Sequence, residues 1–538
     1  MPASMTMTPA SLTAMIPGFQ LESDTFRPAA LPGAGDAGRI KNRLCQGSSI
    51  KEWSQSRFDP LEVSIAIFQD YDAYDGVGLA ELVKHGEVSA DDLMDTAIAR
   101  VEARNPKVNA FSSLFEARAR RDIQAGLPDG PFRGVPFALK DLFMQYEGEV
   151  TGNGSRFFQG VVATRDSELF ARYRRAGFAI FGKTTTPELG IGPATESRAN
   201  GITRNPWNLS RTAGGSSGGA ASAVAAGILP LAHASDSGGS TRVPASCCGL
   251  FGLKPSRGRM PMGPERGESS GGFGSAHAVT RSVRDSAALL DVTAGPDLGA
   301  PYGIAPPDRP WRDEVGAAPG RLRIAVWSEP PQGIELHERC ALALQDAATL
   351  CRDLGHYVEE MRPAVDIGEI DRSGIVVMAA STRLLIEARA AALGRPPGPD
   401  DLEPAVRAFY EAADKYSAFD YARAVAATHR ASRDLAAFQT KWDLILMPTL
   451  AQPPVPVGTI TSSDMDRSGM RPLSRAFNPF CPLANRTGVP AASVPLFWDQ
   501  DGLPIGVQFL ARFGDEATIF RIAAQLEHAR PWAARRAM

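Results

Sequence analysis

The sequence predicts a layered α/β fold, and three stretches carry that prediction. SELFARYRRAG followed by FAIFGKT, residues 167 to 184, reads as a helix running into a buried strand. Arg321 to Val326 is a clean strand, with a long helix from Leu336 to Leu354 behind it. Near the C-terminus DLILMPT, AASVPLF and IGVQFL return as apolar strand-like runs, and ATIFRIAAQLEHA closes them with a final helix.

Residues 1 to 69 are rich in Pro, Gly, Ser and Ala and show no sustained periodicity, so they read as a disordered extension or as an early start. From Gly78 the pattern changes. Leu79, Leu82 and Val83 mark a short amphipathic helix, and Ser89 with Asp92 forms the signature of a capping box that opens a second helix, closed by Pro106. Gly134 to Asp141 is an apolar β-type run that ends on Lys140. Thr151 to Ser155 is a glycine-rich loop, Thr184 to Asn208 a long loop expected to wrap the site, and Thr280 to Leu290 opens another helix. Residues 360 to 440 hold mostly helix, broken at 394 to 399 by Gly-Arg-Pro-Pro-Gly-Pro. This insert is expected to roof the pocket.

The chemistry points to Ala213 to Arg242, which holds two glycine-flanked serines, Gly214-Gly215-Ser216-Ser217-Gly218-Gly219 and Gly238-Gly239-Ser240. Glycines let a backbone adopt positive φ and approach a ligand closely, so a serine between them is displayed rather than packed. By composition alone GGSSGG is also a flexible linker. A linker, however, does not lead into an alanine-rich helix, Ala220 to Ala226, ended by Gly227 and followed by the strand-like Ile228 to Leu231. Gly214 to Gly218 spells G-x-S-x-G, but Asn208 to Thr212 reads as loop where a nucleophile elbow requires an apolar strand.

A serine hydroxyl needs a base. Of the seven histidines, His233 is nearest to Ser240, yet it alternates with apolar residues on a strand pattern. Lys140 is the other candidate: at the end of a buried strand, desolvation lowers an amine's pKa until its neutral form can take a proton. Lys140 leaving into solvent, or pairing with Asp141, is the bland alternative.

GVPFALKD around Lys140, AGGSSGGAASAVAAG around Ser216 and SDSGGSTRVPASCCGLFGLKPSRGR around Ser240 together resemble the amidase signature family of serine hydrolases. The resemblance runs from near Asp70 through NRTGVPAASVP and GLPIGVQFL, leaving only the first seventy residues outside, and LAHASDSGGST with Cys247-Cys248 looks most like bacterial amidases. It implies one domain over 70–538 with an amidase signature fold: a large twisted mixed β-sheet covered by helices on both faces, with the helical insert over the active site. It also implies a Ser-cisSer-Lys triad. Ser240 would be the nucleophile and form an acyl-enzyme. Ser216, after a cis peptide from Gly215, would bridge Ser240 to Lys140, the neutral base. Backbone N–H groups of Ser237, Gly238, Gly239 and Ser240 would form the oxyanion hole, and Ser217, Asp236 and Arg242 would support the loops, the last two as a structural pair or in a chemical role. The implied substrate is a small linear or cyclic carboxylic amide; anilides, carbamates and esters suit the same triad. A glutamine-supplying amidotransferase subunit is disfavoured, since Val243 stands where those chains generally carry glutamine after the arginine. The intact lysine and serines argue against a scaffold that has lost the chemistry.

Composition excludes other classes. With 57 Lys+Arg against 60 Asp+Glu the net charge is −3, which disfavours nucleic acid or an anionic membrane as a partner. No spanning segment or secretion signal is visible, so a cytoplasmic place is expected. The six cysteines lack metal-like spacing and read as free buried thiols, Cys247 and Cys248 as packing or site-lining residues. Neither metal nor cofactor is expected, and a homodimer is a fair expectation for a chain of this type.

Overall fold

The structure is a computed structural model that describes residues 67–464 and 471–538. The expected disordered extension, 1 to 69, lies outside the described residues apart from 67 to 69. Ser64–Met538 forms one compact unit. Its centre is an eight-stranded mixed sheet. In spatial order the strands are Tyr357–Glu360, Arg323–Val326, Leu444–Pro448, Pro504–Ala511, Ala491–Trp498, Phe251–Lys254, Ser275–Thr280 and Leu231–Asp236. The first three run parallel and the later pairs antiparallel. A three-stranded sheet places Ala179–Thr184 between Phe111–Leu114 and the lysine strand Pro136–Lys140.

Alternation along the strands assigns the two faces. Ile324, Val326, Leu444, Leu446 and Phe509 pack with Leu344 and Ala347 of helix Glu338–Asp353 and with Ile519, Phe520 and Ala523 of helix Glu516–Ala529. Their neighbours Ala325, Ile445, Met447 and Leu510 face the other way, onto Ile370 of helix Ile367–Leu393 and Leu435 of helix Ala418–Gln439. Both faces are therefore covered by helices.

The caps follow local chemistry. Ser89 and Asp92 close a capping box on helix Ala90–Val108, as do Ser417 and Asp420 on Ala418–Gln439. Ile367–Leu393 ends on Gly394, left-handed at φ 67°, before the Pro-rich break. In the insert, Ile386, Leu402 and Val406 pack on Phe157, Phe158 and Leu189, so the helices rest on the loops around the site.

Three local expectations differ from the structure. Pro106 does not close its helix, which continues to Val108 and ends at a left-handed Asn109; proline within the helix still leaves the last turn to be capped by that residue. Ile228 to Pro230 precede rather than form the strand, which runs Leu231–Asp236, because Pro230 has no N–H for a ladder. Asn208–Thr212 is a strand, paired with Arg204–Asn205 in an exposed ribbon outside the main sheet. Its polar, exposed side chains hid it from a search for apolar runs, and it is no apolar strand feeding an elbow.

Leu446 is fully buried on the central sheet and Leu384 is exposed. Leu446→Ala is expected to destabilise the protein by about 2–5 kcal/mol in denaturant unfolding, with Leu384→Ala within about 0.5 kcal/mol of wild type. Equal effects from both would contradict the assigned core.

Candidate active site

The two sheets meet edge to edge where Pro136–Lys140 lies beside Leu231–Asp236. His233 joins them: its Nδ1 accepts the backbone N–H of Lys140 at 3.0 Å. Burial, then the charge of Lys140, pushes the His233 imidazole down to about 3, so it is neutral with its proton on Nε2. It thus holds the lysine's backbone, and no hydrogen bond links it to either candidate serine.

Lys140 is fully buried. The amine lies 2.8 Å from Ser216 Oγ and 3.0 Å from Ser235 Oγ. Burial pushes its pKa down to about 7, with Asp236 opposing the shift. The neighbouring Asp141 does not pair with it. Successive strand residues face opposite ways, and Asp141 accepts the N–H of Gly152 at 2.9 Å and feels the charge of Lys183.

The first serine loop is held by close backbone approach. Gly214 has φ 78°, and a Cβ there would lie 2.8 Å from Pro244 Cα, so only glycine fits. The Gly215–Ser216 peptide is cis, as the resemblance implied. Ser217 ties the two serine loops together: its N–H donates to Ser240 O at 3.2 Å and its hydroxyl to Ser235 O at 3.2 Å.

The second loop is wound around one carboxylate. Asp236 accepts the N–H of Gly239 at 2.6 Å and of Thr241 at 3.2 Å, Nε of Arg242 at 3.0 Å and Nδ2 of Asn485 at 2.9 Å. Burial pushes the Asp236 carboxyl up, but the charge and hydrogen bonds of Arg242 and the Asn485 amide outweigh it and hold the group far below the usual carboxylate range. The other guanidinium nitrogens donate to Gln508 Oε1 and Asn485 Oδ1, at 3.0 and 2.7 Å. Asp236 and Arg242 are thus a buried structural pair.

This winding orients the loop's amides. The carbonyls of Gly238 and Ser237 accept from Asn478 Nδ2 at 2.8 Å and Arg486 Nη1 at 3.2 Å. The N–H groups of Ser237, Gly238 and Ser240 have no acceptor among the described residues. Gly239 departs from the expectation for the oxyanion hole. Its N–H is committed to Asp236, because the tight turn at φ 121° aims it back at that carboxylate.

Ser216 and Ser240 line one inner cavity of about 120 Å³, and Ser240 also lines an adjoining outer cavity of about 250 Å³. Met378 of the insert borders both, which puts the insert in the pocket wall. The expected bridge is half closed: Lys140 meets Ser216, while the Ser240 hydroxyl makes no hydrogen bond among the described residues. Cys247 and Cys248 are buried behind the loops, with Cys248 Sγ on Ala213 O at 3.5 Å; all five described cysteines are free. Among the described residues no group of His, Cys, Asp and Glu is placed to hold a metal, and no helix is long and apolar enough to cross a membrane.

Sequence reasoning did not find Ser235, Asn485 or Gln508. Ser235 had a usable signal, since it shares a strand face with His233. Asn485 and Gln508 arrive from distant segments and had none.

A family model described as Amidase matches residues 92–520. The chain belongs to the amidase signature family. It is accordingly an amidase, a hydrolase acting on carbon–nitrogen bonds. It is 39% identical over 478 residues to the 6-aminohexanoate-cyclic-dimer hydrolase of Paenarthrobacter ureafaciens, across 86% of this chain and 96% of that relative. A solved structure of 6-aminohexanoate cyclic dimer hydrolase complexed with substrate superposes with TM-score 0.83 at 36% identity, covering 87% of this chain and 99% of the other. A bacterial aryl acylamidase of the amidase signature enzymes aligns with TM-score 0.77 at 26% identity over 86% and 99% of the two chains.

Arg242→Ala would leave Asp236 buried without its cation, and loss of one partner of such a pair costs about 3–5 kcal/mol. The folded-state pKa of Asp236 lies below its unfolded value, so its contribution is present above the ordinary aspartate range and fades as pH falls through that range and below. Wild type is therefore expected to lose melting temperature on acidification, with a shallower fall in Asp236→Asn; parallel slopes would contradict the assignment.

Proposed function

We propose that this amidase hydrolyses a small linear or cyclic carboxylic amide through Ser240, Ser216 and Lys140. The observation that carries the reading is a buried amine with its pKa near neutrality, 2.8 Å from a serine that shares a cavity with Ser240. An amide carbonyl is resonance-stabilised and its amine leaves poorly. The site must therefore activate a nucleophile, hold the oxyanion and protonate nitrogen.

In this mechanism neutral Lys140 draws a proton from Ser216 as Ser216 takes one from Ser240, whose Oγ attacks the carbonyl carbon. The relay requires the Ser240 hydroxyl, which lines the same cavity, to turn to Ser216. The oxyanion is received by the unpaired N–H groups of Ser237, Gly238 and Ser240. The relay then runs backward, Lys140 returning the proton through Ser216 to the leaving nitrogen as the carbon–nitrogen bond breaks. Water, deprotonated by the same route, cleaves the acyl-enzyme and frees the acid. Ser235 positions the lysine with its hydroxyl. The 6-aminohexanoate cyclic dimer is the substrate that the relatives supply for trial, and their identity over 86% of the chain supports it.

Ser240→Ala is expected to lower turnover by at least about 10³-fold while the protein stays folded, and to lose labelling by a fluorophosphonate. Near-normal turnover would remove Ser240 from the nucleophile's place. Lys140 must be neutral, and its pKa is lowered to about 7. The rate should therefore rise with pH up to about 7 and level off above it; a rate flat into the acid range would exclude Lys140 as the base. A hydrolysis screen over the cyclic dimer, a short aliphatic amide, an anilide and an aryl carbamate ranks the leaving groups.

A further inference from the structure

The inner cavity contains a cation that the mechanism does not use. Its walls are mostly apolar, built from Leu142, Phe143, Met144, Leu169, Met262 and Met378, and among them Arg266 reaches the same space as Ser216 and Ser240. The guanidinium carbon of Arg266 stands 4.0 Å from the centroid of the Phe143 ring. Arg266 has no hydrogen bond or ion pair to any described residue. The acids nearest in sequence are engaged elsewhere: Glu265 pairs with Arg165 at 3.0 Å and accepts from Gln145 at 2.9 Å, while Glu268 faces Arg257. Glu265 attracts Arg266 only through space, and burial still pushes the guanidinium down.

A guanidinium stays charged in proteins, and a charge inside an apolar chamber is costly unless something pairs with it. A cation–π contact with Phe143 supplies part of that stabilisation, but it uses the face of the guanidinium and leaves the N–H edges free. Those edges match a carboxylate, which an arginine fork binds with two parallel hydrogen bonds.

Resting on the amidase reading above, we propose that Arg266 is a specificity-determining residue, and that the preferred substrates are linear amides with an apolar arm ending in a carboxylate. The arm fills the inner cavity along Leu142, Met144 and Met378, the carboxylate meets Arg266, and the scissile carbonyl rests at Ser240. The outer cavity takes the other half of the amide. A neutral ring such as the cyclic dimer fits the reaction but leaves Arg266 unpaired, so it is the poorer substrate.

Two matched pairs of amides test this, placing the charge on either arm: N-hexanoyl-6-aminohexanoate against N-hexylhexanamide, and adipic acid monobutylamide against N-butylhexanamide. Wild type is expected to favour the carboxylate member of at least one pair by about 10- to 100-fold in kcat/KM, the range of a hydrogen bond to a charged group. Arg266→Gln should lower kcat/KM for the carboxylate members by more than for their uncharged partners, so that the preference falls to near unity, and Arg266→Lys should restore part of it. Equal losses on charged and uncharged members, or no preference in wild type, would overturn the proposal while leaving the triad intact. No turnover of any amide, together with no fluorophosphonate label on Ser240, would overturn the amidase reading and this one with it.

Discussion

The site depends on one buried ion pair. Asp236 and Arg242 lie only six positions apart, and both are removed from water. Burial of a carboxylate and a guanidinium is tolerable only when hydrogen bonds satisfy both. Satisfying Asp236 bends residues 236 to 242 into a loop, turns the Gly239 N–H onto that carboxylate and leaves the N–H groups of Ser237, Gly238 and Ser240 without an acceptor among the described residues. Satisfying Arg242 requires Asn485 and Gln508, so the loop is fastened to a helix and to a central strand at once. The geometry of the loop that carries Ser240 follows from the demands of a charge that has no water to turn to.

A second constraint concerns lysines. Lys140, Lys183 and Lys254 are all buried, and burial lowers each of their pKa values. Their surroundings separate their roles. Lys183 donates to Met144 O, Val150 O and Thr151 Oγ1, which anchors the loop that forms one wall of the inner cavity. Lys254 donates to Pro255 O beneath the sheet. Lys140 alone of the three meets two serine hydroxyls beside the cavity, partners able to pass a proton. Desolvation brings an amine's pKa down toward neutrality, and its neighbours decide which groups can exchange a proton with it.

The helical insert links this centre to substrate choice. Helix Ile367–Leu393 packs on the sheet through Ile370, on the loops through Ile386, and borders both cavities through Met378. A strand end thus carries Lys140 and another leads into the loop of Ser240, while longer helices and loops shape the cavities beside them. Arg266 belongs to this shaping set, since it lines the inner cavity and makes no hydrogen bond to Lys140, Ser216 or Ser240.

The sequence by itself determined the layered fold, the lysine strand, the capped helices and the two serine loops, because periodicity, caps and glycine clusters are local patterns read over a few residues. Those patterns singled out Lys140, Ser216 and Ser240 as candidates, whereas their roles, and the support from Asp236 and Arg242, were implied by the family resemblance. The sequence did not determine that Gly239's amide turns to Asp236, that Ser235 shares the lysine, or that Asn485 and Gln508 complete the ion pair. Nor did it reveal that Arg266 stands in the cavity without a partner. These depend on which distant segments meet and on which groups water can no longer reach, and only the packing of the whole chain decides that.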